Sequence, residues 1–166
     1  ISIPDRFTMS TNLSRILPIE ISVLDLEASS KQQVFEQAGL IFENNGGLSG
    51  AIVTANLMER ENMGSTGLGY GVAVPHGRID GLKTPEAAFV RLSSPISFDA
   101  PDGKPVNLLF FLLIPQNVTQ QHLEILSEIA AMFSDNQCRL ALATETDKDR
   151  IYRIVTTWKP GSSLPE

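Results

Sequence analysis

The segment from Arg60 to Arg78 combines the residue types that bind phosphate. It contains glycines at positions 64, 67, 69 and 71, and glycine allows positive φ angles and a close approach of a ligand to the backbone. Successive amides in such a loop form a concavity that binds anions. The Ser65 and Thr66 hydroxyl groups and the Gly67 amide are therefore candidate phosphoryl-binding donors, and Arg60 adds a planar cation suited to phosphate. On composition alone, a glycine-rich turn between a helix and a strand explains the segment equally well.

His76 changes this balance because its neighbours restrict the backbone around it. Pro75 precedes the histidine and fixes its own φ, while Gly77 follows and leaves room beside the ring. An imidazole with a pKa near 6.5 is mostly neutral at cellular pH and carries a free lone pair. One ring nitrogen can donate to a backbone carbonyl while the other attacks phosphorus. We interpret His76 as a catalytic nucleophile; the alternative is a histidine that merely ends a strand.

The second histidine, His122, is expected at the start of a helix beyond a long strand that ends at Pro115. Groups beyond the ends of strands converge on one crevice, so His122 is expected to reach His76. The alternative is a solvated residue in the first helical turn. Two histidines without a third ligand do not favour a catalytic zinc site, and no metal is expected.

Other catalytic motifs are not present in the sequence. A Gly-x-Ser-x-Gly nucleophile elbow is missing, which argues against a Ser-His-Asp hydrolase. The glycine-rich segment is not a Walker loop, because no Gly-Lys-Ser/Thr follows, and it precedes a strand, unlike a dinucleotide fingerprint. No cofactor is expected.

The elements that must position these residues alternate along the chain. Hydrophobic periodicity and capping residues predict strands near 21–24, 72–74, 87–92 and 106–114, and helices near 31–45, 49–62, 120–133, 137–143 and 147–157. The strand at 106–114 is apolar throughout, as expected for a central strand buried on both faces. The predicted fold class is therefore α/β, a three-layer α/β/α sandwich around a mixed β-sheet.

Length and charge limit the range of functions. The 166 residues suit one domain, and a net charge of −6 without basic clusters argues against nucleic-acid binding. The longest apolar run, Val106 to Pro115, is well short of the ~20 residues that span a bilayer. Cys138 lies in a predicted helix, where an inert buried thiol is expected. The lack of disulfides and of a basic-then-apolar leader predicts a cytoplasmic protein without membrane insertion.

At these motifs the sequence resembles the enzyme IIA proteins of the fructose/mannitol class of the bacterial phosphotransferase system, most closely their nitrogen-regulatory branch. The resemblance rests on GSTGLGYGVAVPHGR, on LMEREN before it and on LLIPQNVTQQHLEILSEIA downstream, and covers roughly residues 13–157. It implies that His76 is phosphorylated on its outer nitrogen and that His122 and Arg60 are active-site residues. Val74 stands where the family pattern has isoleucine. The implied fold is the same α/β/α sandwich.

The resemblance also divides the chain. Residues 9–158 are interpreted as a single EIIA type 2 domain, residues 1–8 as an expression remnant or upstream extension, and residues 159–166 as a polar tail.

The implied activity is phosphotransfer to a protein histidine. Enzyme I would phosphorylate a histidine phosphocarrier, and the carrier would phosphorylate His76, with Arg60 and His122 stabilising charge and no metal required. An apolar docking rim is expected at Met63, Leu68, Val72 and Ile79.

Three functions remain open at this point. The preferred one is a regulator whose phosphorylation state controls targets such as transporters or sensor kinases, because no IIB segment or membrane span is found. The others are a sugar-specific IIA component that donates phosphate to a IIB component, and a binding module that transfers no phosphate. The sequence does not decide whether the protein forms a homo-oligomer.

Overall fold

The computed structural model describes residues 22–117 and 119–160. Six strands form one mixed sheet: β1 (Ser22–Leu26), β2 (Gly67–Gly69), β3 (Val72–Ala73), β4 (His76–Ile79), β5 (Glu86–Ile96) and β6 (Val106–Pro115). The order is β1-β5-β6-β3-β2, and β4 also pairs with β6. β5 is antiparallel to β6, whereas β3 and β4 both run parallel to it and follow one another along the same edge.

Strand β6 is the centre of the fold because both of its faces are covered. Alternate residues point to opposite faces of a strand, so the continuous apolar sequence of β6 supplies two cores. Leu108, Phe110, Leu112 and Ile114 belong to one core, and Leu109, Phe111 and Leu113 belong to the other. The prediction of a central strand buried on both faces is confirmed.

Among the described residues, two helices cover one face of the sheet and three cover the other. Helices α1 (Lys31–Gly46) and α2 (Gly50–Asn62) pack on the face of Leu109 and Phe111. Helices α3 (Gln120–Phe133), α4 (Asn136–Thr144) and α5 (Lys148–Thr157) pack on the opposite face. The predicted three-layer α/β/α sandwich is confirmed.

The helix boundaries follow from local capping chemistry. Ser30 and Ser49 are the N-caps of α1 and α2, and each hydroxyl accepts a hydrogen bond from an amide in the first turn. Gly47, with φ of 73°, ends α1 in the left-handed conformation that glycine adopts without steric cost. These boundaries agree with the predicted helices to within about two residues.

Several details differ from the sequence-based expectations. The glycine-rich segment contains a tight hairpin: β2 pairs antiparallel with β3, and the turn places Tyr70 at φ 58° and Gly71 at φ 82°. Strand β5 is longer than predicted and continues to Ile96.

The expected docking rim is wrong at two of its four positions. Val72 and Ile79 are core residues with almost no exposed surface, because their strands place them on the packed faces of the sheet. Met63 and Leu68 are exposed, as expected of rim residues.

The remaining expectations concern the ends of the chain, the cysteine and the membrane. Residues 1–8 lie outside the described residues, as does most of the predicted tail at 159–166. Cys138 is buried against the core, and burial raises the pKa of its thiol to about 12. Within residues 22–117 and 119–160, none of the helices has the length and apolar character needed to cross a bilayer.

Candidate functional site

His76 is the first residue of β4, where the chain pairs with β6 again after an interruption of the pairing. β3 pairs with Leu108 and Leu109 of β6, the chain leaves the ladder at Val74, and β4 pairs again with His76 opposite Leu112. The Pro75 carbonyl accepts a hydrogen bond from the Leu112 amide at 3.0 Å, which keeps the interruption in register. The position of His76 is therefore fixed by the central strand.

The two sides of β4 have different roles. His76 and Arg78 share the face covered by α3, because both pair with β6 residues of that core. Gly77 points the other way: a Cβ there would lie 3.4 Å from the Asn56 backbone of α2. Gly77 nevertheless lines the groove together with His76, so the expectation that it leaves room beside the histidine ring stays a prediction. Its lack of a side chain brings β4 close to α2.

The ring of His76 is oriented by a bond to its own backbone. Nδ1 donates to the Val74 carbonyl at 2.8 Å, so the neutral ring carries its proton on Nδ1 and its lone pair on Nε2. Burial lowers the pKa of His76 below its usual value of 6.5, and Arg60 lowers the pKa further. The bond to Val74 and the Glu61 carboxylate act in the opposite direction. The net effect is an imidazole that stays neutral at neutral pH.

His76 lies in a groove of about 500 Å³ between α2 and α3. On the α2 side the groove is lined by Arg60 and by Met63, the C-cap of that helix, and α3 contributes Leu123 and Leu126. Arg78 and Ile114 complete the floor beside the histidine, with Asn56, Glu59 and Gln116 as further polar lining. Leu123 is 50% exposed at the groove.

Arg60 enters this groove from the last turn of α2. Its Nη1 donates to the Gly64 carbonyl at 2.8 Å, and its charge acts directly on His76. The structure therefore brings together two of the three predicted catalytic residues, His76 and Arg60.

The predicted phosphoryl donors have other partners in this conformation. The Ser65 hydroxyl donates to the Phe98 carbonyl at 2.8 Å, and the Gly67 amide donates to the Ser65 hydroxyl at 3.1 Å. Both the amide and the hydroxyl of Thr66 donate to the buried Glu61 carboxylate. Phosphoryl binding by Ser65, Thr66 and Gly67 stays a prediction, and it requires these hydrogen bonds to rearrange.

His122 is held in the N-terminal turn of α3. Its Nδ1 accepts a hydrogen bond from the Thr119 amide at 3.1 Å, and its own amide donates to the Thr119 hydroxyl, which makes a capping box. The neutral ring consequently carries its proton on Nε2. His122 is only 7% exposed, so the alternative of a solvated residue is wrong. Within the described part of α3, Leu123 and Leu126 line the groove and His122 does not.

Sequence reasoning did not single out two residues of this site. Arg78 adds a second arginine to the groove, two positions after His76 on the same face of β4. Glu61, next to Arg60, is buried and ion-paired with Lys31 at 2.9 Å. Arg78 is two residues from His76, so a predicted strand at this point would have placed both side chains on one face. The partner of Glu61 lies 30 residues away and gives no local signal.

The chemistry available in the groove is nucleophilic attack by an imidazole beside two guanidinium groups. In the part of the chain that the structure describes, no three His, Cys, Asp or Glu side chains are close enough to hold a metal ion. Such a site suits transfer of an anionic group to nitrogen.

Comparison with known proteins places these residues in a family context. The family model described as phosphoenolpyruvate-dependent sugar phosphotransferase system, EIIA 2, matches residues 15–158. A nitrogen regulatory protein of Pseudomonas aeruginosa is 39% identical over 150 residues, which are 90% of this chain and 97% of that protein. The crystal structure of nitrogen regulatory protein IIA-Ntr from Neisseria meningitidis superposes with a TM-score of 0.84 at 48% identity, covering 87% of this chain and 99% of that one.

A fructose-specific EIIA component from Haloferax volcanii is also similar, at 30% identity over 152 residues, which are 87% of this chain and 95% of that protein. The matches thus span nearly the whole length of all three proteins.

Proposed function

The chain belongs to the EIIA type 2 family of the phosphoenolpyruvate-dependent phosphotransferase system, and from this premise we propose that it is a regulatory phosphoprotein. It accepts a phosphoryl group on Nε2 of His76 from a histidine phosphocarrier protein. Its phosphorylation state then controls the binding of target proteins such as transporters or sensor kinases. The names of the relatives from Pseudomonas aeruginosa and Neisseria meningitidis support the regulatory assignment.

The observation that carries this proposal is the hydrogen bond between His76 Nδ1 and the Val74 carbonyl. It leaves Nε2 as the nitrogen with a lone pair in a groove that Arg60 and Arg78 also line. A lowered pKa keeps that lone pair available at neutral pH. The free lone pair, the fixed orientation of the ring and the positive charge of the neighbouring arginines together favour Nε2 of His76 as the nucleophile.

In the proposed reaction the Nε2 lone pair attacks phosphorus of the carrier's phosphohistidine. A new phosphorus–nitrogen bond forms, the bond to the carrier's imidazole breaks, and its electron pair returns to the carrier's nitrogen. The Nδ1 proton of His76 remains directed at Val74 throughout. Arg60 and Arg78 stabilise the charge on the equatorial phosphoryl oxygens, and the Nε2 proton of His122 is a further candidate donor.

The same site accounts for regulation by charge. A phosphoryl group adds about −1.5 to −2 charges at neutral pH in the middle of a partly apolar groove. A target that packs on Met63 and Leu123 without a compensating cation therefore binds the unmodified protein better. The phosphocarrier tolerates the modification because its own site holds phosphate.

A sugar-specific IIA component is the second candidate function, since a fructose-specific relative is also similar along the full chain. The two functions differ in the acceptor. A sugar-specific component would pass its phosphoryl group from His76 to a IIB component within seconds, whereas a regulator would retain it in the presence of that component.

Phosphorylation by purified enzyme I, a phosphocarrier and phosphoenolpyruvate tests the proposal. We expect one acid-labile phosphohistidine per chain, which is lost in His76→Gln but kept in a variant of an exposed residue outside the groove, Arg153→Gln. Carriers from the nitrogen and the sugar branches, run side by side, separate the two candidate functions. Full labelling of His76→Gln would overturn the assignment of the nucleophile.

A further inference from the structure

We propose that the buried carboxylate of Glu61 is the positioning residue of the phosphorylation site. Through Thr66 it sets both the Val74 carbonyl that orients His76 and the loop whose Gly64 carbonyl holds Arg60. This inference rests on the proposed function of His76 and adds to it the residue that positions His76 and Arg60.

The Glu61 carboxylate makes an unusually complete set of contacts for a residue at the end of a helix. Oε1 accepts from the Thr66 hydroxyl at 2.6 Å, and both carboxylate oxygens accept from the Thr66 amide, at 3.1 and 3.2 Å. Oε2 also pairs with Lys31 Nζ at 2.9 Å. The Glu61 side chain is 2% exposed, so it is a buried charge with partners of its own rather than a solvated one.

The first branch leads from this carboxylate to the nucleophile. The Thr66 carbonyl accepts a hydrogen bond from the Val74 amide at 3.1 Å, and the Val74 carbonyl accepts one from His76 Nδ1 at 2.8 Å. Glu61, Thr66, Val74 and His76 are therefore joined by consecutive hydrogen bonds. Any shift of Thr66 moves the carbonyl that determines which way Nε2 points.

The second branch leads to the cation. Glu61 and Thr66 close the loop between α2 and β2 by binding to one another across it. Inside this closed loop, the Gly64 carbonyl accepts from Arg60 Nη1 at 2.8 Å. Opening the closure releases the loop and with it the guanidinium beside His76.

The far end of the cluster anchors it to the rest of the molecule. Lys31, the first residue of α1, also pairs with Asp99 at 3.2 Å and lies over the Phe98 ring. The Phe98 carbonyl in turn binds the Ser65 hydroxyl. The glycine loop is thus fixed between α1 and the segment after β5, which explains why the Thr66 donors point inward.

A matched pair at Thr66 tests the proposal with little change in shape. Thr66→Val removes the hydroxyl that binds Glu61 and keeps the backbone amide, whereas Thr66→Ser keeps the hydroxyl. We expect Thr66→Val to lower kcat for phosphorylation of His76 about ten- to a hundredfold, the loss that follows a small misplacement of reacting groups. KM for the phosphocarrier should change less than about twofold, because the docking surface of the groove is intact. Thr66→Ser should restore kcat to near the wild-type value.

Glu61→Gln supplies the second variant, since the amide retains the shape of the carboxylate while losing the pairing with Lys31. It should lower kcat in the same way, and the 15N-1H signal of the Arg60 side chain should broaden or shift in both Glu61→Gln and Thr66→Val. Leu142→Val, which shortens a buried side chain of α4, is the control for lost stability alone and should keep wild-type kcat and the Arg60 signal.

Each outcome has one meaning. Wild-type kcat in Glu61→Gln would overturn the positioning role, even beside a loss in Thr66→Val, because that pattern would mean that the Thr66 hydroxyl binds the phosphoryl group itself. A loss in Thr66→Val that Thr66→Ser does not restore would also overturn it. A wild-type protein that takes up no phosphate at His76 would instead overturn the proposed function.

Discussion

At the scale of single residues, the chemistry of His76 depends on which ring nitrogen carries the proton. The Val74 carbonyl selects Nδ1, and the His122 ring has the opposite assignment because its Nδ1 accepts from the Thr119 amide. One histidine therefore offers a lone pair at Nε2 and the other a proton at Nε2. Each assignment follows from a local backbone contact of that ring.

The lowered pKa of His76 gives a testable pH dependence. Burial is the largest cause, so the imidazole becomes protonated only below its usual value of 6.5. Because attack requires the neutral ring, the phosphorylation rate should hold as pH falls to 6.5 and decline only as pH falls through the lower pKa. Titration of the His76 ring signals by NMR, beside the rate profile, measures both. A midpoint above 6.5 would contradict the assignment.

A role for His76 can be proposed from the sequence at this scale and stays a prediction, whereas its surroundings could be predicted less well. Pro75, the histidine and the glycines before them are contiguous in the sequence, so their chemistry can be proposed from one short segment. Glu61 gave no such signal, because a carboxylate at a helix end is usually solvated, and its burial depends on Lys31 of another helix.

At the scale of elements, a buried arginine connects the sheet to the layer of helices behind it. Arg91 of β5 donates to the carbonyls of Leu142 and Glu145 at 2.9 and 2.6 Å, at the C-terminal end of α4. These acceptors would otherwise have no helical partner. Arg91→Ala should lower the free energy of unfolding by about 2–3 kcal/mol, since it removes hydrogen bonds from a charged donor in a buried place. Urea unfolding measures this, with the exposed Arg153→Ala as a control expected to stay within about 0.5 kcal/mol.

The crossing of α1 and α2 depends on a pair of glycines. A Cβ at Gly39 would lie 2.3 Å from Thr54 Oγ1 and 2.6 Å from the Gly50 carbonyl oxygen, so Gly39→Ala forces the helices apart. We expect a loss of about 1–3 kcal/mol in the free energy of unfolding, despite the better helix propensity of alanine.

Gly46 of the same helix is the matched comparison for Gly39. A Cβ there would meet only the flexible end of Glu86, so Gly46→Ala should be neutral or stabilising. Equal thermal unfolding midpoints for the two variants would show that the close helix approach does not limit stability.

The sequence allowed regular elements to be predicted better than short or ambiguous ones. The continuous apolar run of β6 and the serine caps of α1 and α2 are local signals, and they placed those elements correctly. The β2–β3 hairpin was missed because its strands are short and glycine-rich. Along α3, Leu123 and Ile125 both fit a helical repeat, and only the groove beside His76 determines that Leu123 is the exposed one.

At the scale of the whole molecule, the groove lies where both helical layers meet one edge of the sheet. β4 pairs with the C-terminal half of β6, α2 lies on one side of it and α3 on the other. The proposed nucleophile, His76, is therefore fixed by the central strand, while Arg60 comes from one helical layer and the apolar margin of the groove comes from both. A partner that docks on the groove contacts both layers at once, which makes the site sensitive to the packing of the entire domain.

The margin of this groove gives a prediction about partner binding. Met63 from α2, 75% exposed, and Leu123 from α3 face solvent on opposite sides of His76, and exposed apolar side chains around a polar centre are typical of docking surfaces. Met63→Ala and Leu123→Ala should each weaken binding of the phosphocarrier about five- to tenfold, equivalent to about 1–1.4 kcal/mol, with unchanged folding stability. Leu140, similarly exposed on α4 but outside the groove lining, is the matched control, and Leu140→Ala should bind like the wild type. Titration calorimetry with the unphosphorylated carrier separates the effects, and a loss in Leu140→Ala equal to that in Met63→Ala would place the docking surface elsewhere.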